Sequence, residues 1–141
     1  MKLVKAISVL CVLFFISGCT SITVGKVQSS YSPVSIDGAN VNDSATVKTA
    51  RGLIIWKVDR DRKVSIPKVM FGKGLDSILV TEGEHSIGGS LKGTDINISK
   101  THYKSGHEYI INYVINGDQI RYWVKDLTND EVIYGTEVLV D

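Results

Sequence analysis

Three histidines, His85, His102 and His107, have the clearest capacity for chemistry in this chain. Three imidazoles gathered by the fold would hold zinc and leave a coordination position open for water, as metal-assisted hydrolysis requires. The local sequence points elsewhere. There is no His-Glu-x-x-His pattern and no His-x-His pair. His85 follows Glu82-Gly83-Glu84 and His107 follows Gly106, so both read as turn residues bonded to near neighbours, and no metal or other cofactor is expected. No serine stands in a Gly-x-Ser-x-Gly elbow. Ser90 follows Gly88-Gly89, which reads as a strand bend or bulge. Glu82 and Glu84 flank a turn glycine as solvated carboxylates, and Asp59-Arg60-Asp61-Arg62-Lys63 is a mixed-charge loop. The expectation is a protein that is not an enzyme.

The two cysteines, Cys11 and Cys19, lie close to the amino terminus. Lys2 and Lys5 precede an apolar run of eleven residues, Ala6 to Ile16, and Ser17-Gly18-Cys19 ends it. Such a run suits the core of an export signal and is shorter than the roughly 20 residues that span a bilayer. An ordinary signal carries small residues three and one positions before the cut, and Ile16 does not fit the first of these. Ile16-Ser17-Gly18-Cys19 resembles the lipobox of bacterial lipoproteins. The resemblance implies cleavage between Gly18 and Cys19 and a diacylglycerol on the Cys19 sulfur. One acyl chain binds a membrane marginally, whereas two or three make the attachment durable. In the Gram-negative members of that class an aspartate after the cysteine signals inner-membrane retention. Thr20 stands there in this chain, which implies an outer-membrane anchor with the domain facing the periplasm.

Processing changes the chemistry of what remains. Cys11 leaves with the signal and Cys19 is acylated, so residues 20–141 hold no thiol, no disulfide and no cysteine ligand. The full chain has 16 basic and 15 acidic side chains, and loss of Lys2 and Lys5 leaves a formal charge of −1. That balance, without a basic cluster, gives no footprint for nucleic acid.

The elements that must position these residues are strands. Leu53-Ile54-Ile55-Trp56-Lys57-Val58 and Ser77-Ile78-Leu79-Val80-Thr81 are β-branched runs, and Lys63-Val64-Ser65-Ile66 alternates before Pro67. Tyr109, Ile111, Tyr113 and Ile115 share one face of a strand that ends in Asn116-Gly117, a strong hairpin signal, and Ile120 to Lys125 form the return. Asp118-Gln119 would lengthen that loop to four residues. Trp56 and Trp123 are expected as half-buried core anchors. The pattern predicts an all-β chain: an antiparallel β-sandwich, immunoglobulin-like or transthyretin-like, of seven to nine strands. The chain divides into a signal peptide over 1–18, a lipidated amino terminus and flexible tether over 19–45, and the sandwich over 46–141. Within the tether, residues 34–41 alternate around Asp37-Gly38 and suggest a hairpin.

The segment Val80-Thr81-Glu82-Gly83-Glu84-His85-Ser86-Ile87 resembles the strand, x-Gly-x-His, strand element of PEGA-type repeats and small β-sandwich lipoproteins. Lys104-Ser105-Gly106-His107-Glu108-Tyr109 is similar to a later turn of the same type, and the likeness spans about residues 75–126. It implies a sandwich used for attachment and assembly, with no catalytic residues. The partners expected are membrane lipid, through acylated Cys19, and an envelope protein met by edge strands and by Tyr103, Tyr122 or Tyr134. Ser105-Gly106-x-x-Tyr109 also resembles the Ser-Gly-x-x-Tyr loop of periplasmic lysozyme inhibitors, which makes Ser105, Gly106 and Tyr109 a candidate binding loop. Those inhibitors carry a disulfide that residues 20–141 cannot form.

Overall fold

The computed structural model of the chain describes residues 21–59 and 75–140. The lipobox with Gly18 and Cys19, the signal peptide and the Lys63–Ile66 run lie outside the described residues. Among the described residues ten strands follow in order: β1 (Ile22–Val24), β2 (Val34–Ser35), β3 (Ser44–Thr49), β4 (Leu53–Val58), β5 (Ser77–Thr81), β6 (Gly83–Leu91), β7 (Thr94–Tyr103), β8 (Glu108–Asn116), β9 (Gln119–Asp126) and β10 (Glu131–Tyr134). They form two sheets. The larger has the order β10-β9-β8-β3-β5-β2 with β1 also on β8, and the smaller has the order β4-β6-β7.

The chain is all-β and sandwich-like, as its alternating runs require. The glycine turns set the hairpins. Lys92 (φ 49°) and Gly93 (φ 79°) both take the left-handed conformation that a tight turn between twisted strands demands, and they join β6 to β7. Between β8 and β9, Asn116 pairs with Gln119, so the loop is Gly117-Asp118 alone and only Gly117 (φ 62°) is left-handed.

Two pairings are parallel, β2 with β5 and β3 with β8, so the large sheet is mixed rather than antiparallel throughout. β3 thus pairs antiparallel with β5 on one edge and parallel with β8 on the other. On the same edge of β8, β3 covers Glu108 to Ile111 and β1 covers Val114 to Asn116. The Ala50 amide donates to the Ile111 carbonyl (2.9 Å) and the Gly25 amide to the Tyr113 carbonyl (2.9 Å), which closes the gap between them.

The segment 19–45, expected as a tether, instead contributes β1, β2 and the start of β3 to the large sheet. Strands of two and three residues are too short to show a period, and long-range partners hold them. The Asp37-Gly38 turn forms as its sequence directs, with both residues left-handed and the Ala39 amide donating to the Ile36 carbonyl (3.0 Å). No hairpin follows from it. Val41, which would begin the return strand, is 74 % exposed, and β2 pairs with β5 instead.

The core lies between the sheets. Ala45, Val47, Ile78, Val80, Ile111 and Val124 of the large sheet face Leu53, Ile55, Val58, Ile87, Leu91 and Ile98 of the small one. Two bulges keep apolar side chains inward. Trp56 is the extra residue of β4 opposite Gly88-Gly89, and Ser99-Lys100 face Ser86 alone on β7. Gly89 is required there, since a β-carbon would lie 2.3 Å from the Ile54 carbonyl oxygen.

Trp123 is buried, but on the opposite face of β9 from the core residue Val124. Gly135 (φ 72°) packs against it, and from there the chain crosses the outer face of β8 and β9, held by Glu137 on Lys125 (3.1 Å). The other terminal segment packs near β3, where the Tyr31 hydroxyl donates to the Thr49 carbonyl (2.9 Å) and Lys48 lies over the Tyr31 ring.

Candidate functional site

The polar chemistry of the described chain gathers at one end of the sandwich. The β5–β6 turn, the β7–β8 turn, the start of β8 and the end of β9 meet there. Ile22, Asn116 and the β8–β9 loop mark the opposite end. Nine residues of β8 separate the two, roughly 27 Å.

His107 closes the β7–β8 turn. Its Nδ1 lies 2.7 Å from Asp126 Oδ2, and Asp126 Oδ1 accepts from the amides of Thr128 (2.9 Å) and Asn129 (3.2 Å). The Asp126 side chain is 3 % exposed and the His107 ring 21 %. Burial by itself pushes the Asp126 carboxyl up. The His107 hydrogen bond and the two amides outweigh it and hold the group below its ordinary 3.8.

Asp59 makes the second pair. Its Oδ2 lies 3.0 Å from His85 Nδ1, and its Oδ1 accepts from the Ser86 amide (3.1 Å), which ties the end of β4 to β6. His85 Nε2 points at the Thr81 carbonyl oxygen (2.8 Å), and the Thr81 hydroxyl is 3.5 Å away. An Asp, a His and a hydroxyl in that order have the sequence of groups of a nucleophilic triad. The geometry is not that of a base and its nucleophile. The ring nitrogen that would take the proton is directed at a main-chain carbonyl instead. Both pairs act as braces between strands.

An aromatic row joins the two. His85 lies 6.3 Å from Tyr103, Tyr103 meets Tyr109 edge-on at 5.0 Å, and Tyr109 stacks on His107 at 6.2 Å. Tyr103, expected as an exposed contact, is fully buried, and its hydroxyl has no hydrogen-bond partner among the described residues. Burial raises its phenol well above the ordinary range. The reversal follows from the β7 bulge, which turns Thr101 and Tyr103 inward.

The candidate loop of Ser105, Gly106 and Tyr109 is a braced turn. Gly106 is left-handed (φ 78°), and the Tyr109 hydroxyl accepts from the Lys104 amide (2.8 Å). The Ser105 amide donates to Glu82 Oε2 (3.0 Å) and the Gly106 amide to the Ser44 carbonyl (3.1 Å). Tyr109 is buried, Ser105 half-buried and Gly106 exposed. Its tyrosine is thus a support beneath the turn, with the phenol pushed up by burial.

His102 is exposed on β7 opposite Glu84, apart from both braced pairs. Among the described residues, no group of three His, Cys, Asp or Glu side chains is placed to hold a metal ion. Tyr122 and Tyr134 are half-buried and stacked, and both phenols donate to the Asn97 carbonyl (3.1 and 3.3 Å), which shields the middle of the β7 edge.

One feature escapes sequence reasoning. Outward-facing residues of the small sheet line a polar depression of about 910 Å³, with Lys57, Glu84, Asn97, Ser99 and Lys100 around a floor lowered by Gly88. Its sequence signal is the run of small residues at outward positions of β6 and β7. Comparison with protein families, with curated proteins and with solved structures finds no match for this chain.

Proposed function

We propose that the chain is a lipid-anchored protein of the bacterial cell envelope, held through Cys19, whose β-sandwich binds an envelope protein and performs no chemistry. The observation that carries this reading is the order of residues at the amino terminus. A positive start, an eleven-residue apolar run and Ile16-Ser17-Gly18-Cys19 follow one another without a gap. Thr20 favours the outer membrane, with the domain on the periplasmic side. The braced Asp–His pairs support a binding role, because both ring nitrogens of His85 and the Nδ1 of His107 are committed to bonds that hold strands and turns together.

Labelled palmitate fed to cells should enter the wild-type protein and not Cys19→Ala, which should accumulate as a larger precursor. Labelling that survives the substitution would reject the anchor. Crosslinking in intact cells should then join the protein to one stoichiometric envelope protein, and recovery of the monomer alone would count against the binding role.

Ligand binding is a second reading, favoured by the polar depression on the small sheet, whose size suits a small molecule. An inhibitor of the lysozyme type would show itself by lysozyme inhibition that is lost in Ser105→Ala. Inhibition that Ser105→Ala leaves intact would remove the Ser105-Gly106-Tyr109 turn from that reading.

A further inference from the structure

At the end of the sandwich away from the histidines, several apolar side chains stand out of the fold together. Ile22 is 49 % exposed, Leu139 82 % and Val140 48 %. They share one groove of about 280 Å³ on the outer face of β8 and β9, with Val114 as floor and Arg121 at the rim. Arg121 is exposed and makes no ion pair with a described residue. Isolated surface hydrophobes are ordinary, but a cluster of them rimmed by an unpaired cation marks a contact surface.

The position of the amino terminus says what covers it. Ile22 begins β1 and is paired with Asn116. Only Thr20 and Ser21 stand between it and Cys19, a reach of about 10 Å when extended. We infer that this groove end is a membrane-contact face: Ile22, Leu139 and Val140 enter the headgroup–acyl boundary and Arg121 meets lipid phosphate. The inference rests on acylation of Cys19. Interfacial binding grows with the apolar area buried among lipids, and a cation beside that area adds attraction to anionic headgroups. A consequence for orientation follows. The outer face of β8 and β9 near Asn116 turns to the bilayer, and His102, exposed on β7 of the opposite sheet, turns away from it.

The test uses the full lipidated protein in vesicles of phosphatidylethanolamine and phosphatidylglycerol. Acylated Cys19 leaves no competing thiol in the processed chain, so Leu139→Cys and His102→Cys can each take one environment-sensitive fluorophore. The label at 139 should shift to the blue and lose about half its emission or more to spin-labelled acyl chains. The label at 102 should do neither. Equal water exposure at both sites, in protein that floats with the vesicles and carries acylated Cys19, would overturn the contact face while leaving the anchor intact. A label at 139 that is dehydrated but unquenched by lipid would also overturn it, by assigning the groove to a second copy or another protein. Protein that neither floats nor carries lipid would remove the anchor itself, and the contact face with it.

Discussion

Removing the Asp126 carboxylate tests whether the histidine end is a structural brace. In Asp126→Ala, the His107 ring and the amides of Thr128 and Asn129 lose their acceptor. A hydrogen bond to a charged group contributes about 1.5–3 kcal/mol net. Thr128 and Asn129 are exposed, so water replaces the carboxylate at their amides and their loss counts at the low end. The His107 bond is short and its carboxylate buried, so it counts nearer the top. The expected cost is about 2–4 kcal/mol, or roughly 10 °C in Tm for a domain of this size.

Asp126→Asn keeps the shape and one acceptor oxygen, and should cost about half as much at pH 7. The pH dependence has a fixed sign. The Asp126 carboxyl titrates lower in the folded chain than its ordinary 3.8. Its stabilisation is therefore complete above that ordinary value and is lost as pH falls through the folded one. Urea unfolding at pH 7, 5 and 3 should show a gap between wild type and Asp126→Asn that narrows between pH 5 and 3. A gap that widens between pH 5 and 3, or no gap at pH 7, would refute the reasoning.

Two further substitutions follow from the packing. Tyr103→Phe removes a buried hydroxyl that has no partner among the described residues and should raise stability by about 1 kcal/mol in urea unfolding, so a loss of more than about 0.5 kcal/mol would reveal a bond to that hydroxyl. Gly89→Ala drives a methyl group onto the Ile54 carbonyl oxygen and should cost about 2–4 kcal/mol. Gly88→Ala, whose methyl group meets only the Lys57 side chain at 3.3 Å, should cost less than about 1 kcal/mol, and equal losses would place the strain elsewhere.

The parts of the fold that local sequence encodes were legible. Tyr109 to Ile115 alternate as a strand must, and Asn116-Gly117 marks the turn to within one residue. The Gly88-Gly89 pair marks an irregularity, although the extra residue is Trp56 on the neighbouring strand. What depends on distant partners was not legible. A parallel β3–β8 pair and a three-residue β1 leave no period to read. Trp123 is buried as a tryptophan in a strand run suggests, but it is covered by Gly135 and not by the core, and no local pattern specifies a covering segment twelve residues on. The candidate site divides in the same way. His107 closes a turn as its sequence suggests, whereas His85 lies within β6, and their carboxylate partners lie 26 and 19 residues away in sequence. Tyr103 faces inward because a bulge at Ser99-Lys100, which no local pattern announces, inverts the facing of the residues after it on β7.

The pairing of β1 with β8 fixes how the domain bears tension. A pull on Ile22, directed out past the β8–β9 loop, runs along both strands and not across them. All three residue pairs of that ladder are then loaded in shear together, where a peeling force would open them singly. Three pairs make a small joint, but one whose members part together and not in turn.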